Sequence, residues 1–148
     1  MHATIGRWIS ILHRQSQIYI NQVLKEFNIT SAEYSFLLYL YRNDGITQDD
    51  LSTYLYIDKA ATTRAIKSLE LKGYITRMKD PDDKRCNRVY LTTKSKDYQS
   101  EIKRRVSHWS ELITEGMDQG TIDIVHNTLS EMVKKVEEMN LRKDMEEE

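Results

Sequence analysis

Two helix starts set close together constrain this chain more than any other feature. In "ITQDDLSTYLYIDKAATTRAIKSLELKG" (Ile46 to Gly73), Thr47 and Asp58 are both residue types whose side-chain oxygen caps the free amides of a helix's first turn. Asp50 stands at the third position after Thr47, and Ile46 is placed to staple onto Leu51. The interval admits one short helix, to about Tyr56, and then a tight break. The second helix opens at Asp58, runs through Lys72 and is closed by Gly73. Ile57, Ala61, Ala65, Ile66 and Leu69 make its inward side, which leaves Lys59, Ala60, Thr62, Thr63, Arg64 and Lys67 facing out. Two short helices around a tight turn have the layout of a helix-turn-helix.

The next segment is "YITRM", the charged loop "KDPDDKRCN", and "RVYL". Two short alternating runs around an Asp/Pro loop predict a β-hairpin with Ile75, Val89 and Leu91 toward the core. Pro81 stiffens its tip. Asp80 and Asp82 are typical turn residues, whose carboxylates bond nearby amides. A hairpin directly after a helix-turn-helix is a wing.

Long helices flank this lobe. Ile5, Trp8, Ile9, Leu12, Tyr19, Val23 and Phe27 recur at helical spacing over residues 4 to 27, and Ile11, Ile18 and Ile20 lie off that stripe. A helix that is apolar on more than one face is expected between two partners. "TSAE" (Thr30 to Glu33) is a capping box that opens a helix carrying Tyr34, Leu37, Leu38 and Tyr41, with "NDG" at its end. After the hairpin, Thr92 caps a helix with the stripe Ile102, Val106, Trp109 and Ile113, ended by Gly116. The last helix carries Ile122, Val125, Leu129, Met132, Val136 and Met139, a heptad seam that needs a partner helix.

Charge is distributed unevenly along the chain. The net charge is −1, yet Lys59 to Lys96 holds 11 Lys/Arg against 4 Asp/Glu, a local +7 on a remainder of −8. A basic patch on an acidic body points to a polyanionic partner. No run of about 18 apolar residues occurs, and Arg7, His13 and Arg14 interrupt the N-terminal apolar stretch, so a cytoplasmic protein with no membrane partner is expected. The single cysteine, Cys86, fits a reducing compartment. His2, His13, His108 and His126 have no short ligand spacing, and there is neither a glycine-rich phosphate loop nor a nucleophile–base pair. No metal, no cofactor and no enzymatic activity are expected.

The words "GITQDDLS", "DKAATTRAIKSLELKGYITR" and "DPDDKRCNRVYLT", in this order, resemble the MarR (multiple-antibiotic-resistance regulator) family of winged helix-turn-helix transcription regulators. The resemblance covers roughly residues 8 to 140. The family's wing Asp-x-Arg falls on Asp83 and Arg85, and its recognition-helix Thr-Arg on Thr63 and Arg64. Ser95 stands where the family usually has glycine.

The resemblance implies a mainly α fold with a small β-hairpin wing. A winged helix-turn-helix lobe would span residues 31–92, a helical dimerisation region residues 1–30 and 93–142, and a flexible acidic tail residues 143–148. It implies an obligate homodimer on a palindromic double-stranded DNA operator, acting as a repressor released by a small anionic aromatic or lipidic effector. The expected DNA-binding set is Thr47, Gln48, Lys59, Ala60, Thr62, Thr63, Arg64, Lys67, Asp83, Lys84, Arg85 and Arg88. Arg64 suits bidentate contact with guanine. Lys59, Lys67, Lys84 and Arg88 suit phosphates. Arg85 suits a narrow minor groove, with Asp83 aiming its guanidinium.

His13, Arg14, Tyr34, Leu38, Tyr41 and Trp109 are the expected effector residues. Two alternatives stay open. One is an adaptor whose winged helix binds protein and not DNA. The other is a redox- or metal-sensing variant, in which Lys84, Arg85 and Arg88 lower the pKa of Cys86.

Overall fold

The computed structural model describes residues 2–139. The order is α1 (Ile5–Val23), a 3-10 turn (Lys25–Phe27), α2 (Tyr34–Leu40), α3 (Gln48–Leu55), α4 (Lys59–Leu71), β1 (Ile75–Lys79), β2 (Asn87–Leu91), α5 (Thr93–Ile113) and α6 (Gln119–Met139). The chain forms two compact units, one up to Trp109 and the other from Ser110 onward. The acidic tail expected at residues 143–148, and residues 140–142 of the dimerisation region, lie outside the described residues.

Local chemistry sets the boundaries. Thr47 Oγ1 accepts from Asp50 N at 3.2 Å, and Asp58 Oδ1 accepts from Ala61 N at 2.7 Å, so both expected N-caps form. α3 ends with Tyr56 in the left-handed region (φ 56°), and α4 is followed by Gly73 at φ 83°. The helix read over residues 4–27 is shorter than expected. It stops at Val23, because Leu24 is fully buried and the chain closes into a 3-10 turn with left-handed Asn28 (φ 59°).

The Thr30–Glu33 box forms only in part. Thr30 N donates to Glu33 Oε1 at 3.0 Å as expected, but the Thr30 hydroxyl donates to that same oxygen and does not accept from the Glu33 amide. Glu33 N turns instead to Thr30 O. The same Glu33 oxygen also accepts from Lys72 Nζ at 2.7 Å, a pair that ties the start of α2 to the end of α4.

β1 and β2 pair antiparallel, with Ile75 opposite Leu91 and Arg77 opposite Val89. The second edge of β2 is also engaged: Gly45 N donates to Val89 O and Val89 N to Ile46 O, both at 2.9 Å. The wing is therefore joined to the loop that leads into α3. Phe36, Leu37, Leu40, Leu51, Ile66, Leu69, Tyr74, Ile75, Val89 and Ile102 are at most 1% exposed and form one core with Leu24 and Ile29. Ser95, at the position usual for glycine in the resemblance, is fully buried at the start of α5, where its hydroxyl donates to Tyr74 O.

Two helices leave apolar surface bare. On α1, Ile5, Trp8, Ile9, Leu12 and Ile18 are exposed, Trp8 to 53%. No residue of α6 is buried, and its seam residues Val125, Leu129 and Val136 stand more than 40% exposed. With each such side chain worth about 1.5–3 kcal/mol when removed from water, these faces are incomplete in one chain.

Candidate nucleic-acid interface

The outer face of α4 follows from its core contacts. Ala65, Ile66 and Leu69 are buried, so Lys59, Ala60, Arg64 and Lys67 are turned to solvent. Thr62 is not on that face, which corrects its place in the expected DNA-binding set. It is 1% exposed, and its hydroxyl donates to Asp58 O at 2.8 Å. The signal was in the spacing: Thr62 shares a helical stripe with Ile66 and Leu69, and a hydroxyl bonded back to the preceding turn can sit in a core.

Thr63 is half-buried. Its hydroxyl donates to Lys59 O at 2.9 Å and accepts from Gln48 Nε2 at 3.1 Å. Gln48 is thus turned inward toward α4, and it packs the two helices together. Thr47 likewise spends its hydroxyl on the α3 cap.

The wing tip is organised by its carboxylates. Asp80 Oδ1 accepts from Asp82 N at 2.8 Å, the turn bond expected of Asp80, and Asp80 N donates to Cys86 O across the loop. Asp83 holds Arg85 in a two-point ion pair on the outside of the wing. The Arg85 guanidinium beside it keeps the Asp83 carboxyl below its ordinary range. Lys84 is exposed beside them.

Cys86 does not show the lowered pKa that the redox alternative called for. Desolvation and the neighbouring Asp83 carboxylate, to which Sγ donates, push its thiol up, since both disfavour a thiolate. The Arg88 guanidinium is engaged inward: Nε donates to Asp80 Oδ2 at 2.9 Å and Nη1 to Gly45 O at 2.8 Å. Arg77, which sequence reasoning passed over, pairs with Glu70 and fixes β1 against α4.

The residues expected to bind an effector separate. His13 and Tyr34 line a cleft of about 580 Å³, with Phe36, Leu55, Ile57 and Ala65 as apolar wall and Arg64 and Lys72 among its cations. Arg14, Leu38, Tyr41 and Trp109 do not line it, because each is engaged elsewhere. Arg14 bonds Ser10 on its own helix, and Leu38 packs on the core. The Tyr41 hydroxyl donates to Ser95 O at 2.7 Å, and Trp109 lies against Tyr19 with ring centroids 5.3 Å apart. Among the described residues no three His, Cys, Asp or Glu side chains form a metal-binding group, and no helix is long and apolar enough to cross a membrane.

The MarR family profile matches residues 29–87, the lobe from the end of the 3-10 turn to the start of β2. The HTH-type transcriptional regulator BilQ of Clostridioides difficile is 34% identical over 98 residues, 66% of each chain, so the chain spans about two thirds of that regulator. A MarR transcriptional regulator from Methanosarcina mazei, known by its crystal structure, is 39% identical over 91% of this chain and 97% of its own, with TM-score 0.88. A putative MarR family regulator from Listeria monocytogenes, crystallised with a 26mer DNA, shares the fold at 24% identity and TM-score 0.88, covering 96% of each chain.

Proposed function

The chain belongs to the MarR family of transcription regulators, and on that premise we propose that it acts in the cytoplasm as a homodimeric repressor on a palindromic double-stranded operator, released by a small anionic effector. The observation that carries the DNA reading is the wing tip. Arg85 is 90% exposed yet held at two points by Asp83, so a cation is aimed outward before any partner arrives. Holding it in advance lessens the entropy lost when it enters a groove. Lys59, Arg64 and Lys67 stand exposed on α4, the helix that enters the major groove in this arrangement. An adaptor that binds protein has no use for so concentrated a positive charge.

The bare faces of α1 and α6 support the dimer, since a second copy supplies matching apolar surface. The cleft supports release. Lys72 is already committed to Glu33, whereas Arg64 has no ion pair among the described residues. A carboxylate with an apolar body therefore meets Arg64, the same residue that reads a base. The test is an electrophoretic shift of an A·T-rich palindromic duplex from the region upstream of the gene, repeated with benzoate or octanoate. A shift that both anions reverse, and that benzamide leaves intact, supports the reading. No shift contradicts it.

A further inference from the structure

We infer that Arg88 is a positioning residue for the wing and makes no contact with DNA: it fixes the wing against the helix-turn-helix so that Arg85 and α4 reach one duplex together. This rests on the DNA-binding reading above. Arg88 lies on β2, and its guanidinium adds a side-chain tie between the wing loop and the segment before α3, beside the backbone bonds of Val89. Nε holds Asp80 Oδ2 at 2.9 Å, where the wing loop begins, and Nη1 holds Gly45 O at 2.8 Å, in the loop before α3. The backbone of Arg88 makes an isolated antiparallel bridge with Thr47, the N-cap of α3. Leu91 N donates to Asp44 Oδ1 at 2.8 Å on the same edge. The approach is close: Gly45 has φ 84°, and a Cβ placed there would stand 2.9 Å from the Tyr90 ring.

Asp80 holds Arg88 inward: Nε and Nη1 are committed to Asp80 and Gly45, although the side chain is 37% exposed. The carboxylate is only 7% exposed, with one oxygen on Asp82 N and the other on Arg88. Drawing the guanidinium away to a phosphate strands a nearly buried charge and an unbonded carbonyl, which costs more than an exposed phosphate contact returns. Arg85 has no such commitment inward. The two wing arginines therefore divide the work, Arg85 touching the groove and Arg88 setting the angle from which it does so.

The test uses the full-length protein and duplexes with A·T-rich or G·C-rich flanks, measuring affinity against salt. Three variants separate the roles. Asp80→Asn removes a negative charge near DNA, so a phosphate-binding Arg88 predicts tighter binding. A positioning Arg88 predicts binding weakened roughly tenfold on A·T-rich flanks and little on G·C-rich ones, since only the wing contact is lost. Arg88→Lys keeps the charge but loses the two-point fork, and behaves like Asp80→Asn if Arg88 positions the wing. In an Arg85→Ala background, Arg88→Gln leaves the salt slope unchanged, whereas loss of a phosphate contact lowers it by about one unit. Tighter binding by Asp80→Asn, wild-type behaviour by Arg88→Lys, or a further drop in slope overturns the inference while the DNA reading stands. A wild-type protein that binds neither duplex overturns both.

Discussion

Asp83 and Arg85 form a two-point ion pair at the outermost part of the wing: Oδ1 lies 3.0 Å from Nε and Oδ2 3.2 Å from Nη2. Asp83 Oδ1 also accepts from Arg85 N at 3.1 Å, so the acid holds both the backbone and the side chain of the arginine. An exposed pair of this kind adds little to folding stability. Its value lies in direction. Asp83→Ala makes the wing more basic, yet it is expected to weaken DNA binding, and to add almost nothing when Arg85 is already alanine. A double-mutant cycle checks this, with additive effects or tighter binding contradicting it.

Arg64 and Lys67 face solvent one turn apart on α4 but differ in chemistry. Arg64→Ala is expected to cost on the order of 1–3 kcal/mol and relax preference at one base pair, because a bidentate fork is lost. Lys67→Ala is expected to weaken all sequences alike and lower the salt slope by about one unit. Binding to a panel of single-base operator variants separates them. Thr62→Ala belongs to neither class. It is expected to leave specificity intact and lower the melting temperature, since its hydroxyl is buried in the lobe.

Much of this was legible because the signals are local. N-caps at Thr47 and Asp58, the Asp80 turn and the Asp83–Arg85 pair each involve residues at most three apart, where chain geometry leaves few alternatives. Contacts between distant segments were not legible. Glu33 meets Lys72 and Arg88 meets Gly45 only after the lobe closes, and nothing in either neighbourhood marks the partner. The inward bonds of Arg88 were not legible either, because charge alone does not tell an outward arginine from one paired with a nearly buried acid. The effector set rests on places along the helices that the resemblance implies, and of that set His13 and Tyr34 line the cleft at the start of α2.

The seam on α6 predicts the assembly. Asp placed at both Leu129 and Val136 puts unpaired charge where a dimer buries apolar surface, and it is expected to abolish dimerisation and with it folding. Sedimentation and far-UV circular dichroism read the two together. A stable, folded wild-type monomer at micromolar concentration contradicts the dimer.

Glu101 gives a pH test of the α5 surface. Arg104 and Arg105 clasp its carboxylate and pull its pKa from 4.5 down to about 2. A lowered folded-state value means the stabilisation is present above 4.5 and is lost as pH falls through about 2. Glu101→Gln is therefore expected to melt below wild type at neutral pH. The gap should narrow steadily below pH 4.5, and a gap independent of pH contradicts the ion-pair origin.

The salt dependence of operator affinity tests the central claim most directly. Fluorescence anisotropy with a labelled palindromic duplex from the upstream region, titrated at rising salt, reads the phosphates neutralised by the α4 and wing cations. A dimer with several such contacts is expected to lose roughly tenfold to a thousandfold in affinity between about 50 and 200 mM salt, with a linear fall of log K against log salt. Affinity that stays flat across that range, or no binding at its low end, contradicts a DNA-binding regulator built on Arg64, Lys67 and Arg85.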